Sequence, residues 1–178
     1  RYDSALGDIR ELHVYTPPGY DPRGEPMPVL YLLHGGGEIA SSWSEIGRVD
    51  VIADNLIAAG RMRPAVIVMP LGHAVPRGAT DSPATDWAGR NTEAFRRDLF
   101  DAIMPFAERT YRIRTDRDGQ ALAGLSMGAG QADMIGLAAL DRFSVIGLFS
   151  GGGRDFAQRH AALLANPAAT NAQLAWLY

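Results

Sequence analysis

The chain has 178 residues, 47% of them apolar and 21% charged, and that length and balance predict one globular domain with a full core. It has no cysteine, which excludes disulfides, thiolate metal sites and a cysteine nucleophile. A net charge of −3 points away from nucleic acid and anionic membranes as partners, and no apolar run approaches the length of a membrane-spanning helix.

In chain order, Arg10 to Thr16 reads as a strand with Leu12 and Val14 inward, closed by Pro17-Pro18-Gly19-Tyr20. Pro28 to Leu33 is a second strand that runs into His34-Gly35-Gly36-Gly37-Glu38. Val49 to Ala59 is a helix with apolar Val51, Ile52, Leu56 and Ile57, stopped by Gly60. Pro64 to Met69 is a buried strand, and residues 72–91 read as a long loop rich in Gly, Pro, Ala and Asp. Thr92 is placed to cap a helix running to about Arg109, with Phe95, Leu99, Ile103 and Phe106 along one face. An apolar run from Gly119 is the next strand, and Ala129 to Leu140 follows as a helix of small residues. Ser144 to Phe149 is a further strand, and Ala172 to Tyr178 begins another. Neither internal repeats nor low-complexity linkers interrupt the pattern. Strands alternating with helices predict an α/β fold, a mostly parallel sheet flanked by helices. Active sites in such sheets lie at the carboxyl ends of the strands. The His34–Glu38 loop, the 72–91 loop, Ser126 and the Ser150-Gly-Gly-Gly153 turn all fall there.

Gly124-Leu125-Ser126-Met127-Gly128 is a G-x-S-x-G between a strand and a helix. That context predicts a nucleophile elbow, a strained turn that presents the Ser126 hydroxyl above the sheet. A side chain at 124 or 128 would collide with the neighbouring strand or helix. The helix N-terminus behind Ser126 favours negative charge near the hydroxyl. The glycines after the Val29–Leu33 run leave the backbone N–H groups open to a cavity. In hydrolases of this architecture such a loop supplies one oxyanion-hole N–H, and the residue after the nucleophile supplies the other. Those donors are expected at Gly36 (or Gly35) and Met127. His34 is expected to be structural.

These segments together resemble the α/β-hydrolase family of esterase D and the feruloyl esterases, which is also similar to the antigen-85 mycolyltransferases. The resemblance rests on Leu12-His-Val-Tyr-Thr-Pro-Pro-Gly-Tyr20, Pro28 to Glu38, Val51-Ile-Ala-Asp-Asn-Leu-Ile57 and Ala123-Gly-Leu-Ser-Met-Gly128, and covers nearly the whole chain. It implies carboxylic ester hydrolysis through an acyl-serine, on feruloyl or acetyl esters of plant cell-wall polysaccharide. It also implies a secreted or periplasmic setting, and makes the 72–91 loop, with Trp87, an acyl-pocket loop. No metal or other cofactor is expected: there is no H-E-x-x-H and no G-x-G-x-x-G after the first strand.

The family's triad runs in the order Ser, Asp, His, with acid and histidine after later strands. Neither has a counterpart before Tyr178. Residues 1–178 are therefore expected to form a single α/β-hydrolase domain lacking its C-terminal strands, with an exposed strand edge open to pairing with another chain or segment. Four histidines are present: His13, mid-strand and structural; His34; His73, on the active-site edge but before the serine; and His160, with Asp155 five residues earlier on a polar surface helix. Asp155 with His160 is an alternative acid and base. Two other readings stay open: a non-catalytic esterase-like binding module, and an acyltransferase or thioesterase on the same scaffold.

Overall fold

Alternating side chains divide the core in two. In strand β4 (Val29–Leu33), Val29, Tyr31 and Leu33 face one side of the sheet and Leu30 and Leu32 the other. Strand β5 (Val66–Pro70) likewise sends Val66 and Val68 to the first side and Ile67 and Met69 to the second. This is the period of two of an extended chain, apolar on both faces because both are covered. The structure, a computed structural model, describes residues 1–76, 86–151 and 155–178.

Four more strands complete the sheet: β3 (Leu12–Tyr15), β6 (Gln120–Leu125), β7 (Val145–Phe149) and β8 (Trp176–Leu177). The order is β3-β5-β4-β6-β7-β8, with β3 antiparallel to β5 and all other neighbours parallel. A small antiparallel hairpin, β1 (Tyr2–Asp3) with β2 (Ile9–Arg10), precedes it. Arg10 thus belongs to this hairpin and not to the strand expected from 10 to 16. β8 lies at the sheet edge and is shorter than the expected 172–178 strand, because Pro167–Gln173 forms a helix.

Helices α1 (Ser42–Glu45) and α2 (Val49–Ala58) contribute Trp43, Val49 and Ala53 to the second side. Helices α3 (Trp87–Asp98), α4 (Met104–Thr110) and α5 (Met127–Gly136) cover the first. Fully burying Phe95, Leu99 and Ile103 there stabilises the fold by about 1.5–3 kcal/mol each. A single π turn, Leu99–Ile103, joins α3 to α4. Pro105 lies in the first turn of α4 just after it, and a proline ring in a regular helix would clash with the carbonyl four residues back. The last helices are α6 (Phe156–Arg159), α7 (Ala161–Ala165) and α8 (Pro167–Gln173).

Two boundaries differ from expectation. Trp87 to Asn91 are helical rather than loop, because Asp86, not Thr92, caps α3: its carboxylate accepts from the Gly89 N–H at 3.2 Å. Residues 77–85 of the expected loop lie outside the described residues, as do 152–154 of the Ser150–Gly153 turn. α5 begins at Met127, immediately after the serine, and ends at Gly136 rather than Leu140.

Candidate active site

β6 ends and α5 begins at Ser126, which sits at φ 52 and ψ −106. A non-glycine residue in such a conformation costs about 1–3 kcal/mol. The surroundings hold it there: the Ser126 N–H donates to the Phe149 carbonyl at 2.8 Å, and its own carbonyl accepts from Gly130 N–H at 3.0 Å. The turn is this tight only because its glycines are bare. A Cβ at Gly124 would stand 2.3 Å from the Gly128 carbonyl carbon, and one at Gly128 2.7 Å from Leu33 Cβ. The Ser126 side chain is exposed, and its hydroxyl has no hydrogen-bond partner among the described residues.

The glycine loop after β4 meets this elbow. Glu38 accepts the Gly35 N–H at 2.7 Å, so that donor is occupied. His34 Nδ1–H donates to the Gly35 carbonyl at 2.8 Å. A trans peptide is planar, so the Gly36 N–H points the opposite way, away from His34. His34 Nε2 accepts the Gly72 N–H at 2.9 Å, which makes the ring neutral, with its proton on Nδ1. Burial pushes the His34 pKa below its ordinary 6.5, and neighbouring His73 adds to the effect against the opposing Gly35 hydrogen bond and Glu38. His34 is structural, as expected.

Gly36, Met127, Ser126 and Trp87 line one cavity of about 660 Å³, so the four residues nominated from the sequence come together. Trp87, only 7% exposed, occupies the first turn of α3 and donates Nε1–H to the Val75 carbonyl at 3.3 Å. Met134, Ile135 and Arg159 extend the wall.

Beneath the loop lies a polar hub that the sequence reading missed. Asn91 Nδ2 and Gln131 Nε2 both donate to the Gly72 carbonyl, at 3.0 and 2.9 Å. Asn91 Oδ1 accepts from Ala74 and Val75 N–H groups. A signal was present: Trp87, Asn91, Phe95 and Leu99 share one helix face by i, i+4 spacing, and an asparagine on an apolar stripe calls for buried partners.

The histidines are all committed elsewhere or remote. His73 Nε2–H donates to the Gly36 carbonyl at 3.0 Å. His13 lies within β3. His160 does not pair with Asp155, the alternative acid considered for it. It is 8% exposed, not on the surface, and its Nε2 lies 2.8 Å from the Asp133 carboxylate of α5. Arg159 approaches the other Asp133 oxygen at 2.8 Å, while Asp155 is exposed at the start of α6. Asp133 wins because its carboxylate is fully buried and needs compensation there.

A mostly parallel, doubly covered sheet with a strained serine between strand and helix defines an α/β hydrolase. The chain belongs to the Esterase family, whose model matches residues 4–174. It is 35% identical over 156 residues to an endo-1,4-β-xylanase/feruloyl esterase of Xylanibacter ruminicola, covering 85% of this chain and 21% of that protein. An esterase of Mycobacterium tuberculosis is 35% identical over 127 residues, covering 70% of this chain and 25% of that one. Among solved structures, the CE1 ferulic acid esterase of Anaeromyces mucronatus, in complex with ferulic acid, superposes with a TM-score of 0.74 at 31% identity. That match covers 86% of this chain and 57% of the other. The chain therefore spans about a fifth to a quarter of these curated relatives' length.

Proposed function

We propose that this chain carries the nucleophile and oxyanion hole of a serine carboxylic ester hydrolase. The observation that carries the reading is the exposed, strained Ser126 in a cavity shared with Gly36 and Met127. Ser126 Oγ attacks the ester carbonyl, the alcohol leaves, and water releases the acyl-serine. The N–H groups of Met127 and Gly36 receive the developing oxyanion, a contribution of about 3–4 kcal/mol per donor. Feruloyl or acetyl esters of plant cell-wall polysaccharide are the substrates we favour. The names of the Xylanibacter and Anaeromyces relatives support this, as does a cavity walled by Trp87, Met127 and Met134. The test is labelling with a fluorophosphonate probe: modification of Ser126, lost in Ser126→Ala, is expected. Modification elsewhere, or an alanine variant that still turns over ester, refutes the assignment.

One observation favours a second reading. None of the four histidines hydrogen-bonds the Ser126 hydroxyl. A site without a base is that of an ester-binding module. Saturable binding of methyl ferulate with no acyl-enzyme under any base would establish that reading instead.

A further inference from the structure

Arg10 lies outside the cavity, yet its side chain reaches the backbone that holds the glycine loop. One nitrogen, Nη2, donates to two carbonyls, Leu71 at 2.9 Å and His73 at 2.6 Å. Its Nε stands 3.4 Å from Asp98 Oδ2, and Arg10 is itself 8% exposed. Asp98, fully buried at the end of α3, is fixed by the Tyr2 hydroxyl at 2.6 Å and the Ala5 N–H at 2.9 Å. Between the two carbonyls held by Arg10, Gly72 gives its N–H to His34 and accepts from Asn91 and Gln131. From the same three residues His73 reaches the Gly36 carbonyl, while His34 reaches that of Gly35.

Among the described residues, the hydrogen bonds from segment 71–73 to the glycine loop thus run through His73 and His34, and Arg10 pins that segment from the N-terminal hairpin. We infer that Arg10, clamped by Asp98 and Tyr2, is a positioning residue for the Gly35–Gly37 loop. It acts through His73 and His34 and touches no substrate. A guanidinium suits the task because Nη2 can donate to both carbonyls while Nε faces the Asp98 carboxylate at 3.4 Å, whereas an ammonium is a point donor on a flexible stem. The inference rests on the oxyanion role proposed for Gly36, and extends it to a residue of the N-terminal hairpin.

The experiment combines two readouts on the 178-residue chain. In amide NMR spectra, Arg10→Lys should shift the Gly36 and Gly72 resonances while leaving those of α2 in place. With imidazole present as base, kcat for 4-nitrophenyl acetate should fall about tenfold or more, with KM changed by less than about twofold. Tyr2→Phe, which loosens the clamp but keeps Arg10, should move the same amides in the same direction by less. A folded Arg10→Lys protein with unchanged Gly36 amide and kcat overturns the inference; if that variant does not fold, Tyr2→Phe decides by the same measurements. Full turnover by Ser126→Ala would sink the nucleophile reading instead, and leaves the amide shifts as an independent test of Arg10.

Discussion

His73 Nε2–H donates to the carbonyl of Gly36 at 3.0 Å, a contact between residues 37 positions apart in the chain. It makes His73 a strut under the glycine loop, with no hydrogen bond to the Ser126 hydroxyl. His73→Phe should lower kcat about tenfold with little change in KM, because the loop loses its anchor but the cavity wall remains. His73→Gln, which keeps an N–H donor, should recover most of that loss. A glutamine variant as inactive as the phenylalanine variant would instead point to proton transfer by His73.

Glycines 36 and 124 should respond in opposite ways. A Cβ at Gly36 meets only the Met127 side chain, Cβ at 3.6 Å and Sδ at 4.0 Å, ordinary contacts, so substitution there leaves the fold intact. Gly36→Val should still lower turnover about 10²-fold by crowding the oxyanion position. Gly124→Ala places its methyl 2.3 Å from the Gly128 backbone and should destabilise by about 3 kcal/mol or more in urea unfolding. Equal stability of the two variants would contradict the close packing of the elbow.

Ser126→Gly separates strain from chemistry. Glycine accepts φ 52 without the steric cost that serine bears, so the variant should be more stable by about 1 kcal/mol. It should also be inactive. A variant less stable than the parent would show that the serine side chain contributes stabilising contacts that outweigh its strain.

His34 sets the sign of the acid response. Its folded pKa is depressed by burial, so the native protein keeps the ring neutral while the unfolded chain takes up a proton as pH falls through about 6.5. Stability is therefore complete above that value and is lost below it, by up to about 1.4 kcal/mol per pH unit. Urea unfolding between pH 7.5 and 5 should show this slope, and His34→Gln should flatten it. A parent slope of opposite sign would mean that the buried ring accepts the proton.

With no histidine on the Ser126 hydroxyl, residues 1–178 should hydrolyse 4-nitrophenyl acetate slowly, and added imidazole should accelerate the reaction. His160→Ala should reduce stability, since it strips a partner from buried Asp133, while leaving the imidazole-assisted rate unchanged. Fast unassisted turnover abolished by His160→Ala would restore His160 as the working base.

What the sequence determined by itself is what short-range sterics and periodicity encode. The β4, β5, β6 and β7 strands were legible because continuous apolar runs in an alternating α/β order have few other ways to be buried. The elbow was legible because Gly124, Ser126 and Gly128 sit within one turn of chain, and the glycine loop because three bare residues follow a buried strand. Tertiary structure alone decided the partners. Asp133 rather than Asp155 took His160, and Arg10 reached carbonyls 61 and 63 residues away. Asp86 displaced Thr92 as the helix cap, which brought Trp87 from an expected loop into the first turn of α3. A buried polar group takes whichever partner the packed elements bring within hydrogen-bond distance, and that proximity is a property of the closed fold.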